Sequence, residues 1–296
     1  MKPYHVHATT TAVEVWTGYR VQFGGMERHQ WQKTLKAEVK AAFCGIADSN
    51  APFTGFYDTT DRAVSDVENS LFTNWLGHLP TGITLLRFER GPFAAPEPPV
   101  DIDRVGGHLH YYRYTIGGRW TTWDADAVLA RWDRVPRRLA LDGSAGPGWM
   151  ALRHGRADGK VELTGASLYP DENFGVRLTV HATSQGPKNA ITVSENIVDG
   201  TLAAFHSDVL SEALFPNLKG RFPRVTEDEL RRALDNPIGP LFLTPAIRPF
   251  GKSVQFSPAD ERCIVGEVEI RRDATGSCSE LSGELFTVKP VPQSSY

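Results

Sequence analysis

The feature that most constrains this chain is an order of segments that occurs twice. A strand-like run, a polar loop, an acid followed by asparagine and then an apolar helical stripe appear first as "PFTGFYD", the loop from Asp58 to Ser65, and "SDVENSLF" at Ser65–Phe72. The same order returns as "GVRLTVH", "ATSQGPKNAITV" and "SENIVDGTLAAF", the last at Ser194–Phe205. Val67, Leu71 and Trp75 share one stripe of the first helix, and Val198, Leu202 and Phe205 line one side of the second. Two such runs in one order imply two copies of a unit, each setting a carboxylate where a helix leaves a sheet.

The acids at these helix starts carry two readings. Asp66, Glu68 and Glu195 suit the positive end of a helix dipole, and Asn69 or Asn196 suits a backbone cap. Alternatively the acids are ligands. Asp66 and Glu68 stand two residues apart, so an extended entry into the helix aims both carboxylates to one side. Asp199 lies one turn beyond Glu195 on the same helix face. Asp260 and Glu261 precede the strand "CIVGEVEIRR", and they meet Glu195 if that strand runs beside the helix start. Hard carboxylate oxygens of this kind suit Mg²⁺. The candidate catalytic set is therefore Asp66, Glu68, Glu195, Asp260 and Glu261, and the candidate metal set is Asp66, Glu68, Glu195 and Asp199. No organic cofactor is expected, because no P-loop, dinucleotide fingerprint, GxSxG or HExxH is present.

Elsewhere, Trp31, Leu35, Val39 and Phe43 recur every four residues and predict an amphipathic helix. "AVEVWTGYRVQF" from Ala12 reads as a hairpin or one bent strand, and strands are expected over Ile83–Glu89, Leu109–Ile116, Lys160–Leu163, Gly175–His181 and in the last two apolar runs. Asp124–Trp132 reads as helix. Thr226 and Glu229 form a capping box. The breakers "GPFAAPEPPVD" and "LDGSAGPG" place a boundary between them. The expected division is a first unit over 1–120, a connecting segment over 121–150, and a second unit over 151–296 interrupted by a proline-rich insertion over 207–258. Among 296 residues, 41% are hydrophobic, enough for a sizeable core. No apolar run approaches membrane-spanning length and the start is unlike a signal peptide, so a cytoplasmic location is expected. Three cysteines without a CxxC pair agree with a reducing compartment and give no zinc motif.

With the residues in view, the chain resembles the RusA-type Holliday-junction resolvases, small dimeric α+β endonucleases. "DVEN" at Asp66–Asn69 is similar to the family's Asp-x-Asp-Asn helix start, and "ADERCIVGEVEIRR" resembles the strand that follows the later acids. The resemblance implies an α+β fold of two RusA-like units in tandem, each a mixed sheet with packed helices, so that one chain imitates a homodimer. It also implies a Mg²⁺-dependent, structure-selective endonuclease acting on branched DNA. The sequence departs from the family at three places. Phe72 and Asp199 stand where the family has lysine, Thr81 and Gly82 stand where the first unit should carry its later acids, and Val193 occupies the first-acid position of the second unit.

For DNA, the net charge of −3 supplies no basic field, so contact falls to local patches. Lys33, Lys36 and Lys40 on the first long helix, Arg134, Arg137 and Arg138, and Lys219 and Arg221 offer phosphate partners, with Trp132 and Phe222 as stacking platforms. The alternative is a solvated face. His5 with His7, and His108 with His110, have strand spacing suited to a metal pair or to ordinary surface positions, and His206 is placed as a candidate base. Two rival classes stay open: a catalytically inactive RusA-like scaffold or protein-interaction module, and an unrelated α+β enzyme acting on a small molecule; beside DNA, a protein partner or a homodimer is the alternative partner.

Overall fold

The computed structural model describes residues 2–27, 29–44, 46, 51–63, 66–104, 107–137, 145–207, 212–235, 238–239 and 241–292. Alternating apolar residues make β1 (Tyr4–Ala8) and β2 (Ala12–Thr17) a hairpin. Beyond Thr17 the expected strand stops, because the chain turns out of the sheet: Thr17 Oγ1 donates to the Tyr19 carbonyl at 2.8 Å, and Val21 N donates to the Tyr112 hydroxyl at 3.1 Å. Helix α1 (Gln30–Phe43) follows, with Leu35, Val39 and Phe43 buried. Then come β3 (Phe53–Thr59), the short helix α2 (Val67–Leu71) with a 3-10 turn at Thr73–Trp75, β4 (Leu85–Arg90) and β5 (His110–Ile116).

The second half contains β6 (Trp123–Arg137), α3 (Gly146–Ala157), β7 (Val161–Leu163), β8 (Phe174–His181) and α4 (Ser194–Ala204). Next are α5 (Phe215–Arg221), α6 (Glu227–Asp235) and the hairpin β9 (Ile247–Phe250) with β10 (Ser253–Phe256). A 3-10 turn at Asp260–Arg262 leads into β11 (Cys263–Arg271), and β12 (Ser279–Pro290) ends the fold. The expectation of an α+β protein holds. No helix among the described residues is long and apolar enough to cross a membrane.

Among the described residues, ten strands form one sheet in the order β1-β2-β5-β3-β4-β11-β8-β12-β6-β7. Its pairing reads the same from either end: three antiparallel neighbours, then a parallel pair, with antiparallel β4 and β11 at the seam. The connections follow suit in part. Helix α1 joins β2 to β3 over one intervening strand, whereas α3 leads from β6 into the edge strand β7 before the chain enters β8 on the far side of β12; α2 and α4 each lie between the strands of an adjacent parallel pair. The change of halves falls between β5 and β6. The expected connecting segment 121–150 therefore includes β6 and the start of α3, both integral to the second half.

Two further local expectations fail for identifiable reasons. Asp124–Trp132 is strand, because Ala130 and Trp132 face inward while Arg131 and Asp133 face outward, and that period of two, not the helix-like spacing of Val128 and Trp132, meets the partner β12. The run after "LDGSA" is not a breaker but helix, with Pro147 in its first turn where a missing N–H costs nothing. Residues 138–144, which include Arg138, lie outside the described residues. The capping box is formed: Thr226 Oγ1 accepts from Glu229 N at 3.2 Å and Glu229 accepts from Thr226 N at 3.0 Å.

A small apolar cluster of Trp16, Ile102, Leu109 and Tyr111 stands apart, and the main core lies on the helix-bearing face of the sheet. There α3 and α4 cross at glycines: a Cβ on Gly148 would stand 3.3 Å from the Gly200 Cα, and a Cβ on Gly200 would overlap the Ala145 carbonyl. The insertion packs on α3, with Phe222 stacked on Trp149 at 6.3 Å and Phe256 against it at 5.7 Å. The opposite face carries charge. In one register row Arg87, Glu267, Arg177, Glu284, Arg131 and Glu162 alternate in sign across successive strands. Arg177 donates to Glu284 at 2.6 Å, and Arg87 pairs with Glu267. Opposite charges directly across strands stabilise a sheet, and here they let its second face meet water.

Candidate functional site

Both acid-headed helices reach the middle of the helix-bearing face. Asp66 is the N-cap of α2: its Oδ1 accepts from Asn69 N at 3.0 Å, and its other oxygen accepts from the Asn69 side chain. The capping role is thus real for Asp66. It does not account for Glu68, which is only 6% exposed and turned toward the other half of the chain. There it accepts from the Ser194 hydroxyl, with Thr73 Oγ1 3.4 Å away. Thr73 Oγ1 lies 3.0 Å from a carboxylate oxygen of Glu195. Each half thus lends a hydroxyl to a glutamate of the other.

The electrostatics join the remaining acids. Burial pushes Glu68 well above the ordinary carboxylate range, and the charges of Asp66, Glu195 and Asp199 push the same way against the Ser194 hydrogen bond. Asp199 is also pushed well up, by burial and then by Asp260, Asp66 and Glu195. Glu195 is raised by burial and by Asp66, with the Thr73 hydrogen bond opposing. Asp260 is pushed up to about 7, by burial, by the charges of Asp66 and Glu261, and by a hydrogen bond shared with Asp66. Beneath them Cys263 is buried, and its thiol is raised by burial and by Asp260, Asp66, Asp199 and Glu68. The structure therefore brings together Asp66, Glu68, Glu195, Asp199 and Asp260. Glu261 is exposed at the rim, where its carbonyl accepts from Arg90 at 3.3 Å, and it acts on Asp260 alone of these acids.

The charges acting on Asp199 all share one sign. Buried like charges call for a proton or a cation. The donor chemistry, hard carboxylate oxygen throughout, fits a divalent ion such as Mg²⁺. In the present side-chain arrangement no set of three His, Cys, Asp or Glu among the described residues closes to metal-holding geometry. Ser194, Thr73 and Asn69 hold the oxygens of Glu68, Glu195 and Asp66 instead. Sequence reasoning missed Thr73 and Ser194, since a lone hydroxyl carries no pattern until its partner is known. It also left Cys263 without a role.

The other candidates stand elsewhere. Lys33 and Lys40 are exposed on α1. Lys36 is not available to a phosphate: it is buried, with Nζ 2.8 Å from Glu27 Oε1, and that pair holds Glu27 down at about 2. Arg134 is paired with Asp273 at 3.0 Å and Glu280 at 2.7 Å. Arg137 is buried, Lys219 reaches the Phe222 carbonyl at 3.4 Å, and Arg221 binds the Val254 carbonyl at 3.0 Å. Trp132 and Phe222 are core residues and cannot stack on bases. His206 uses both ring nitrogens: Nδ1 donates to the Thr244 carbonyl at 2.6 Å and Nε2 accepts from Ala259 N at 3.1 Å. It is no base; it anchors the residue that precedes Asp260. His110 is buried against Tyr57 and Thr59, at 2.9 and 3.1 Å, whereas His7 is exposed beside Glu14 at 3.1 Å.

No model of a known protein family, no curated protein and no solved structure matches this chain.

Proposed function

We propose that this chain is a single-chain pair of RusA-like units that binds a divalent cation at the carboxylate cluster and hydrolyses phosphodiesters in branched DNA. The observation that carries the reading is the convergence of Asp66 and Glu68 from one half with Glu195, Asp199 and Asp260 from the other, without a cation among the groups acting on Asp199. The palindromic strand order supports the pairing of units. The three free cysteines agree with a reducing, cytoplasmic setting.

Asp66, Glu68, Glu195, Asp199 and Asp260 would hold the ion. Bound there, Mg²⁺ supplies neutralisation of phosphate charge and an activated water. Thr73 and Ser194 orient the two glutamates across the seam, and Asn69 fixes the Asp66 carboxylate. Among the described residues, Lys33 and Lys40 are the predicted ones left to meet a DNA backbone.

The test is cleavage of four-way-junction and linear duplex DNA in Mg²⁺ or Mn²⁺ by the native chain and by Asp66→Asn, Glu68→Gln, Glu195→Gln and Asp260→Asn variants. Cleavage that all four variants retain removes the assignment. The second reading, an inactive module, is favoured by one observation: Phe72, where the family has lysine, is fully buried and Asp199 brings the wrong charge. Salt-sensitive junction binding without cleavage is its signature.

A further inference from the structure

On the open face of the sheet, away from the carboxylate cluster, three side chains line up in the order acid, imidazole, hydroxyl. Asp273 Oδ1 lies 2.8 Å from His181 Nδ1, and His181 Nε2 lies 3.0 Å from Ser282 Oγ. His181 ends β8 and is buried, and Ser282 sits on the neighbouring β12. A carboxylate on Nδ1 fixes the imidazole tautomer that leaves Nε2 able to accept a proton, the arrangement that activates a serine nucleophile.

The backbone opposite Ser282 is also unusual. The β6–β12 ladder slips between Leu281 and Gly283, so that Asp133 and Arg134 face Ser282 together as a bulge. Arg134 there has φ 41°, left-handed for a non-glycine residue. The bulge turns Arg134 N away from the ladder and onto Ser282 Oγ at 2.9 Å, and the one hydroxyl hydrogen has two acceptors to choose between, Asp133 Oδ1 at 2.8 Å and His181 Nε2 at 3.0 Å. Ser282 borders a groove of about 500 Å³ whose rim carries Lys160 and Arg177 beside Glu267 and Glu284.

We propose that Ser282, His181 and Asp273 form a second catalytic site, a serine acyl-transfer centre for small carboxylic esters with polar or charged substituents. With its hydroxyl hydrogen turned from Asp133 to His181 Nε2, Ser282 Oγ attacks the ester carbon and that proton passes to the imidazole. Collapse of the tetrahedral adduct releases the alcohol, which takes that proton. Water then attacks the acyl-serine by the same route, giving the carboxylic acid and restoring the hydroxyl. Asp273 orients His181 and offsets its charge. Arg134 N steadies Oγ as the proton leaves.

The probe is a fluorophosphonate, whose phosphorus is attacked by the serine oxygen with loss of fluoride. The full chain should gain one adduct, mapped by peptide mass to Ser282, and Ser282→Ala should lose it. His181→Gln should label at least about 100-fold more slowly, as loss of a general base requires. Asp273→Asn, at a half-exposed position that spares the core, should also slow labelling and decides the matter if His181→Gln fails to fold. An unmodified Ser282 peptide in the native chain, or equal labelling rates in folded native and Asp273→Asn protein, overturns the proposal.

Discussion

Thr73 donates its hydroxyl to Glu195 across 3.0 Å, so a residue just past α2 holds the acid at the head of α4. The Ser194 hydroxyl makes the mirrored contact with Glu68. A buried carboxylate stripped of its donor bears its full desolvation cost, which is about 1–3 kcal/mol or more. Ser194→Ala should therefore lower the unfolding free energy in urea by that amount. A double-mutant cycle with Glu68→Gln should show coupling, and strict additivity would mean that the contact contributes nothing.

Replacing carboxylates by amides separates stability from ion binding. Asp199→Asn removes a charge that burial and three acids oppose, so the metal-free protein should melt higher than the native chain. The same variant should bind divalent ions more weakly, read as a smaller rise in Tm on adding millimolar Mn²⁺. A lowered metal-free Tm together with an unchanged Mn²⁺ shift would contradict both halves of this expectation.

The pH dependence has a definite sign. Asp260 is raised in the folded state from its ordinary 3.8 to about 7, so the native protein holds more protons than the unfolded chain between those values. This contribution is fully present below about pH 4 and is lost as pH rises through 7. The metal-free chain should therefore be less stable at pH 8 than Asp260→Asn under the same conditions, and the two should converge toward pH 5. A divalent ion should narrow the gap at pH 8. Urea titrations at the two pH values measure each difference.

The basic residues of α1 should behave differently from one another. Lys33→Gln and Lys40→Gln should change the unfolding free energy by no more than about 0.5 kcal/mol, as surface changes do, and each should reduce the salt slope of DNA binding by about one. Lys36→Met should strand Glu27 in the interior and cost about 3–5 kcal/mol. If all three changes act alike on folding and binding, α1 has no distinct outer and inner lysines.

At the helix crossing, Gly200→Ala should be destabilising by about 1–3 kcal/mol, because its new methyl would collide with the Ala145 backbone, which cannot rotate aside as a side chain could. Gly220→Ala, where nothing lies within 4 Å of the added Cβ, is the matched control.

What the residues disclosed in advance was whatever depends on short-range period. The four-residue stripe of α1, the alternation of β8 and the Thr226 cap were legible because each is written within a few positions. The strand β6 was not, since its apolar residues satisfy both a helical and an extended spacing and only its partner β12 decides between them. Lys36 reads as a surface lysine until Glu27 is seen inside with it. The acids were nameable from their helix starts, but their meeting depends on the β4–β11 seam, which no local pattern encodes. His181, Asp273 and Ser282 had no signature at all, being drawn from three separate segments.

Because β4 and β11 belong to one polypeptide, the seam between the halves forms by a first-order step. Dilution cannot part it, and the cluster's integrity should not vary with protein concentration. The corresponding cost is kinetic: the strands that close this junction are separated by most of the chain, and pairing over so long a loop is slow.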